Sequence, residues 1–273
     1  MQEVIKHNGP RNQSFYNILR AKYINMPNRP MLSHSQNFED VMLYRALKNV
    51  QVGRYIDVGA WHPQLHSVTK WFYDLGWSGV NIEPSRRCID LLTRKRPRDV
   101  NLNIAIGLEN SEMPFYEIQN SGLSSLMKDS VVVGQRYGFR KSRSYDVQVW
   151  PLSRVFEEYC KGVETHFLKI DVEGLEREVL LGAELKRNRP WIILIEAVRP
   201  GTSEGCWSEW EGEITNSGYK FVWFDGLNRF YIREESEELS EHFKVPINLF
   251  DNYRHAILQS LSSTISLKIR NIL

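Results

Sequence analysis

The chain has 273 residues, a length that suits one large α/β domain or one domain with appendages. Apolar residues make up 42% and charged residues 25%, a balance that excludes a disordered polyelectrolyte. Lys and Arg number 35 against 33 Asp and Glu, so the formal charge of +2 gives no electrostatic footprint for duplex nucleic acid.

Residues 1–30 are polar and broken by Pro10, Pro27 and Pro30, and read as irregular or short helical structure on the surface. A helix is expected through Val41, Leu43, Tyr44 and Leu47, with Ser35 as its cap and Glu39 in its first turn. Tyr55–Val58 reads as a first strand, Val68–Leu75 as a helix and Val80–Glu83 as a second strand after a Gly76–Gly79 turn. Arg86–Lys95 is helical, and Val100–Ala105 is expected to form one short strand. Met113–Ile118 and Asp146–Trp150 alternate like edge strands. The Gly-, Ser- and base-rich stretch between them, Gln119–Ser144, lacks periodicity and reads as a functional lid or mobile insertion. Leu152–Tyr159 (helix), Phe167–Ile170 (strand), a helix from Leu175 and Trp191–Ile195 (strand) follow. Another helix within 204–217 and a hairpin of Tyr219–Phe224 with Arg229–Ile232 through Asp225–Gly226 complete the pattern. The acidic run from Glu234 to Glu241 reads as a solvated helix or linker, and Phe250–Leu273 as an amphipathic helical tail. The resulting divisions are a segment over 1–50 packed on the core, a main domain over 51–233 and a linker with tail over 234–273.

Strands alternating with helices predict a doubly wound, mostly parallel sheet. In such sheets ligands bind beyond the carboxyl ends of the strands. Asp57, Glu83 and Asp171 sit at three of those ends, with Glu196 at a fourth, more acids than packing requires. The turn after Asp57 has Gly59, then Ala60, Trp61, His62 and Pro63, not the three glycines a dinucleotide favours. It suits an adenosine bearing an amino-acid or sulfonium group, with Glu83 placed to accept hydrogen bonds from a ribose. Asp171 and Glu173 stand above the same edge, and His62 lies in the turn itself. His166, at the far end of its strand, is expected to be structural. The bases Lys128, Arg136, Arg140, Lys141 and Arg143, interleaved with Tyr137, Phe139 and Tyr145, could grip a phosphate-bearing substrate or simply face solvent. The Arg86–Arg98 cluster reads as a solvated face, and "WFYDLGW" as packing.

Three cysteines without C-x-x-C spacing argue against a disulfide framework and for a reducing, cytoplasmic setting. The first thirty residues lack the apolar core of a signal peptide, and no apolar run approaches the ~20 residues of a membrane helix. The tail could dock a partner, a neighbouring domain, a second copy or the inner face of a membrane.

The segments "SQNFEDVML", "YIDVGAWHP", "HSVTKWFYDLGWSGVNIEP", "LNIAIG", "FLKIDVEGLEREVLLGAE" and "RPWIILIE" occur in that order between Ser35 and Glu196. Together they resemble the FkbM-type S-adenosylmethionine-dependent methyltransferases. Two later pieces, "NRFYIREESEEL" and "FKVPINLFDNY", are similar to the tails of members linked to polysaccharide biosynthesis. The resemblance implies a Rossmann-like class I methyltransferase fold, a seven-stranded sheet with an antiparallel final hairpin strand, and O-methylation of a sugar in a glycan or glycan precursor. It implies further that Asp57 and Gly59 line the methionine end of the cofactor, that Glu83 binds the ribose hydroxyls, and that Pro84 and Asp171 also belong to the cofactor site. Asn103 and Ala105 would lie by the adenine, and Gln36 with Asp40 at the entrance. "GLSSL" at Gly122–Leu126 and "HSVTKWF" depart from the commoner family forms, both near the acceptor side.

A sugar hydroxyl needs a base, and Asp171, Glu173, Glu196 and His62 are the available groups. Either His62 takes the proton, or Asp171, Glu173 and Glu196 hold a divalent cation, with oxygen ligands favouring Mg²⁺. The alternatives are a cofactor-binding but inactive module of a polysaccharide-assembly complex and an NAD-dependent enzyme on the same fold.

Overall fold

The computed structural model describes residues 30–119, 121–139 and 142–258. The expected surface segment before Pro30 and most of the expected tail lie outside them, as do Arg140 and Lys141. In chain order the elements are β1 (Met31–Ser33), α1 (Glu39–Leu47), β2 (Arg54–Val58), α2 (Lys70–Asp74), β3 (Ser78–Ile82), α3 (Arg86–Lys95), β4 (Val100–Leu102), β5 (Ala105–Gly107), β6 (Ser111–Ile118) and α4 (Asp129–Arg136). They continue with β7 (Ser142–Pro151), α5 (Leu152–Tyr159), β8 (Phe167–Ile170), α6 (Glu176–Leu181), β9 (Ile192–Glu196), α7 (Glu211–Thr215), β10 (Tyr219–Phe224), β11 (Asn228–Arg233) and β12 (Tyr253–His255).

Seven strands form the main sheet in the order β10-β11-β9-β8-β2-β3-β4. The pairs from β9 across to β4 are parallel, and β11 alone runs against its neighbours β9 and β10. This is the sheet expected of the Rossmann-like methyltransferase architecture. The chain winds outward from β2 to β4, then returns to β2's other side with β8 and β9, so the topological switch lies between β2 and β8.

Both faces of the central strands are buried, which explains their nearly unbroken apolar sequences. Ile56, Val58, Leu168, Ile170, Ile193 and Ile195 face one core together with Leu152 and Val155 of α5. Tyr55, Phe167 and Leu194 face the other, packed with Phe72, Trp77 and the α1 residues Met42 and Leu43. The alternation places Asp57 and Lys169 on the second face, next to Tyr55 and Phe167, and they pair in register.

Several expectations are corrected. Val100–Ala105 is two strands in two sheets, because the chain breaks at Asn103, whose amide donates to the carbonyls of Glu83 and Pro84. β5 instead joins β7 and β6 in a three-stranded side sheet. The Gln119–Ser144 stretch contains α4 and the first residues of β7. Ser35 does not hold the cap position of α1, which falls to Phe38 at φ 63°, but its Oγ accepts the first-turn Asp40 N–H at 3.4 Å and donates to Asp40 Oδ1 at 2.7 Å.

Arg96 is fully buried, not on a solvated face, with donors on the carbonyl of Pro63 and the hydroxyls of Ser67 and Thr69. Of the two readings of the acidic run, helix rather than linker holds: Glu234–Phe243 is 3-10 helical with a kink at Ser236 and, besides its exposed acids, buries Leu239 and Phe243 beside α1. The expected helical tail begins as a 3-10 turn at Leu249–Asp251 followed by β12, which pairs in parallel with β1, and the described residues after it, 256–258, are helical. All three cysteines are free and buried. No helix among the described residues is long and apolar enough to cross a membrane.

Candidate functional site

The ends of β2 and β8 are locked together at the switch point. Asp171 N–H donates to the Val58 carbonyl at 3.1 Å, while Gly59 and Ala60 N–H donate to the Ile82 carbonyl of β3 at 3.0 and 3.1 Å. Gly59 has φ 79°, and a Cβ there would stand 1.8 Å from the Asp171 carbonyl oxygen, so glycine is required twice over. Beyond these ends lies a cavity of about 610 Å³, enough for a nucleoside-sized cofactor with an amino-acid arm.

Glu83 follows β3 and is buried in the cavity wall. Its Oε2 accepts the Trp61 N–H at 2.9 Å and its Oε1 the Ser85 N–H at 2.8 Å. Burial pushes its carboxyl up to about 7 despite these two bonds. Each oxygen keeps a lone pair for a ligand hydroxyl. Ser85, the cap of α3, donates through Oγ to Glu117 Oε1 at 2.7 Å, tying this corner to the side sheet. Arg143 and Tyr145 donate to the other oxygen of Glu117 at 2.6 and 3.1 Å. Burial pushes the Glu117 carboxyl up, but these three donors outweigh it and hold the group below its usual range. The apolar side chains of Ala105, Ile106, Phe115 and Ile118 complete this end of the cavity.

Asp57 lies beneath the turn. Its Oδ2 accepts the Thr69 hydroxyl at 3.0 Å, and Thr69 in turn accepts Arg96 Nη1 at 2.9 Å. Its Oδ1 has no hydrogen bond, although Lys169 Nζ stands 3.4 Å away. That same Nζ donates to the Gly59 carbonyl at 2.8 Å and lies 3.2 Å from Asp171 Oδ2. Burial alone would push the lysine down, but Asp171 and Asp57 win and hold it above its ordinary value. Lys169 was not singled out from the sequence, although a lysine inside the apolar run "FLKI" was a readable signal.

Asp171, Glu173 and Glu196 each bring one carboxylate oxygen within 4.8 Å of the others. Glu173 takes φ 58°, a left-handed turn that aims it back at the strand ends. Burial first, then repulsion from Asp171 and from one another or Glu176, pushes Glu173 and Glu196 well above the carboxylate range. Glu196 Oε2 is buried without a hydrogen-bond partner. Such a trio can share protons, take one from a hydroxyl, or surround a hard divalent cation.

The Ser121–Leu126 segment and the end of the α4 arm cover the acids. Ser125 Oγ lies 3.0 Å from the Glu173 carbonyl and 3.3 Å from that of Val172. Tyr137 donates to the Gly201 carbonyl at 3.0 Å, and Tyr137 and Phe139 both reach the cavity.

Of the residues expected from sequence, Asp57, Gly59, Glu83, Pro84 and Ala105 line the cavity. So do Asp171, Glu173 and Glu196 at its acidic end and Gln36 at its edge. Three are corrected. Asp40 is buried behind the wall, accepting from Ser33, Ser35 and the His34 N–H, so it holds the loop that carries Gln36. Asn103 braces Glu83 and Pro84 from outside. His62 faces away, its Nδ1 accepting the N–H groups of Gln64 at 3.0 Å and Leu65 at 2.9 Å. His66 lines the cavity in its place, with Glu39 and Asn228 joined at 3.0 Å on the same side.

A family model described as the methyltransferase FkbM domain matches residues 57–221, more than half of the chain. No curated protein matches. Among solved structures, a TehB-like SAM-dependent methyltransferase from Corynebacterium glutamicum is similar at 8% identity and a TM-score of 0.40, over 82% of this chain and 100% of that one. A methyltransferase from Geobacter sulfurreducens is similar at 13% identity and 0.37, over 84% and 91%. An O-methyltransferase from Bacillus cereus, solved in complex with SAH, is similar at 14% identity and 0.35, over 84% and 92%. Likenesses this loose carry no argument; the family match shows a methyltransferase domain.

Proposed function

The chain belongs to the FkbM-domain methyltransferase family, and from that premise we propose that it methylates a hydroxyl group of a sugar, in a glycan or a glycan precursor used in polysaccharide assembly. It is an S-adenosylmethionine-dependent methyltransferase; the acceptor and the residue roles are the proposal. The observation that carries the acceptor reading is the three-acid cluster in the same cavity as Tyr137 and Phe139. Carboxylates match the hydroxyl donors of a polyol, and aromatic faces pack on its C–H surface.

S-adenosylmethionine supplies an electrophilic methyl carbon when bound. Asp57 and the Gly59 turn would receive its amino-acid arm, Glu83 its ribose hydroxyls, and Pro84 with the apolar side-sheet wall its adenine. Holding the acceptor oxygen in line with the methyl carbon lowers the barrier by roughly 7–11 kcal/mol when orientation is fully set. Asp171, the more exposed of the two acids beside Lys169, accepts the hydroxyl proton, a step worth about 10²–10⁴-fold. Glu173 and Glu196 orient the sugar. The unpartnered Glu196 Oε2 favours a second form of this reading, in which Asp171, Glu173 and Glu196 would hold Mg²⁺, which would supply Lewis acidity toward the hydroxyl. His62, turned away from the cavity, has no part in either.

Calorimetric titration with S-adenosylhomocysteine, with NAD as control, tests the cofactor site. Transfer of a labelled methyl group to a panel of sugars, nucleotide sugars and oligosaccharides, with and without a chelator, tests the acceptor. Labelling of protein or nucleic acid but no glycan would sink the sugar reading. Loss of labelling in chelator, restored by Mg²⁺, would select the metal form.

A further inference from the structure

A cation in the wall of this cavity runs against its ligand. The cofactor's sulfonium is positive, and carboxylates favour it, yet Lys169 stands among them only 8% exposed. Burying an ammonium carries a desolvation penalty of several kcal/mol before its partners repay it, and an apolar side chain in the middle of β8 would avoid that. The ammonium donates to Gly59 O at 2.8 Å and lies 3.2 Å from Asp171 Oδ2 and 3.4 Å from Asp57 Oδ1, so the oxygens around it belong to the protein. Lys169 therefore acts through its neighbours and through its field, from directly beneath the Gly59 turn at the junction of β2 and β8.

We propose that Lys169 is a positioning residue whose fixed ammonium raises the free energy of the positively charged cofactor relative to its neutral thioether product, favouring departure of the methyl group. The inference rests on the reading that seats the amino-acid arm over Asp57 and Gly59. In the transfer the S–CH₃ bond breaks and its electron pair stays on sulfur. The O–CH₃ bond forms from an oxygen lone pair, and the hydroxyl proton passes to the base at Asp171. Positive charge thus leaves the sulfur, and a nearby ammonium assists that change. The same residue fixes the Gly59 carbonyl and keeps Asp57 and Asp171 at one spacing, so the field and the geometry come from one side chain.

The test needs binding only. Wild type, Lys169→Gln and Lys169→Arg are titrated by calorimetry with S-adenosylmethionine and, separately, with S-adenosylhomocysteine, without acceptor. Removing the charge in Lys169→Gln is expected to shift the ratio of the two dissociation constants toward the methylated form by about three- to thirty-fold, the scale of a nearby charge in a protein interior. Lys169→Arg is expected to return the ratio to near the wild-type value, even if both affinities fall. A structural role alone weakens both ligands together, and an unchanged ratio in Lys169→Gln overturns the proposal. If Lys169→Gln does not fold, Asp171→Asn relieves its unpaired carboxylate. The double variant is then compared with Asp171→Asn alone, with the same shift expected and equal ratios overturning the idea. Failure of wild type to bind either ligand overturns the site reading itself, a result distinct from an unchanged ratio.

Discussion

The Gly59 Cα faces the main-chain carbonyl of Asp171 so closely that a methyl group on it would meet the oxygen at 1.8 Å. The contact joins the two strand ends that flank the switch point, so the cofactor turn and the acidic end of the cavity are one rigid piece. Gly59→Ala is expected to push these ends apart. Overpacking at about 1–3 kcal/mol and the left-handed backbone at about 1–2 kcal/mol should lower the denaturant midpoint clearly. Binding of S-adenosylhomocysteine should fall below calorimetric detection. A variant of unchanged stability and affinity would mean that the ends yield more easily than their geometry indicates.

Glu83 holds Trp61 and Ser85 by their N–H groups and keeps a lone pair on each oxygen, which the proposed cofactor pose gives to the ribose hydroxyls. Glu83→Ala should weaken S-adenosylhomocysteine binding by about 10–100-fold, the loss of one or two charge-assisted hydrogen bonds. Affinity within twofold of wild type in a folded variant would remove Glu83 from the ribose.

Asp171→Ala separates chemistry from binding. Turnover is expected to drop by about 10²–10⁴-fold, as for a lost general base, while S-adenosylhomocysteine affinity stays within about tenfold, or 1.4 kcal/mol. Equal activity in the variant would exclude the role.

Glu39 gives a signature in stability. Burial pushes its carboxyl up to about 7 in the folded protein, against about 4.3 for a free glutamate. Between these values the folded state keeps a proton that the unfolded chain has released. The stabilisation is therefore complete below the unfolded value and is lost as pH rises through the folded one. A shift of this size corresponds to an upper figure of about 4 kcal/mol. His34, held down to about 4 chiefly by burial, works in the opposite sense at the acidic end. The measurement is thus a difference: Glu39→Gln should lose less stability than wild type between pH 5 and 8. Parallel melting-temperature profiles for the two proteins would contradict it.

Much of the site was legible because a parallel sheet puts its ligand edge where apolar strands stop. Glu83, Asp171 and Glu196 each interrupt such a strand, and Asp57 stands one residue before its end, so their convergence followed from topology. What sequence did not reveal is which way turn residues point. Trp61 and His66 adopt φ values of 46° and 51°, and these two left-handed residues turn His62 outward and His66 inward. No local pattern encodes that. Asp40 and Asn103 sit beside the site in sequence but brace it from behind, a distinction set by side-chain partners far along the chain. Arg96 looked solvated because its helix carries other bases, yet the Pro63 carbonyl and two hydroxyls had a vacancy only a buried guanidinium fills.

The parallel pairing of Met31–Ser33 with Tyr253–His255 joins segments more than two hundred residues apart. Closing a loop of that span is entropically costly and comes late. During synthesis the main sheet can be complete while β1 still lacks its partner, and Asp251, which bonds Arg45 of α1 at 2.6 Å, is made with the same last piece. The loop bearing Gln36 directly follows β1. The rim of the cavity is therefore assembled after its floor, and a nascent chain stopped at Lys244 would carry the acids of the site on strands already folded, beneath an edge not yet clasped.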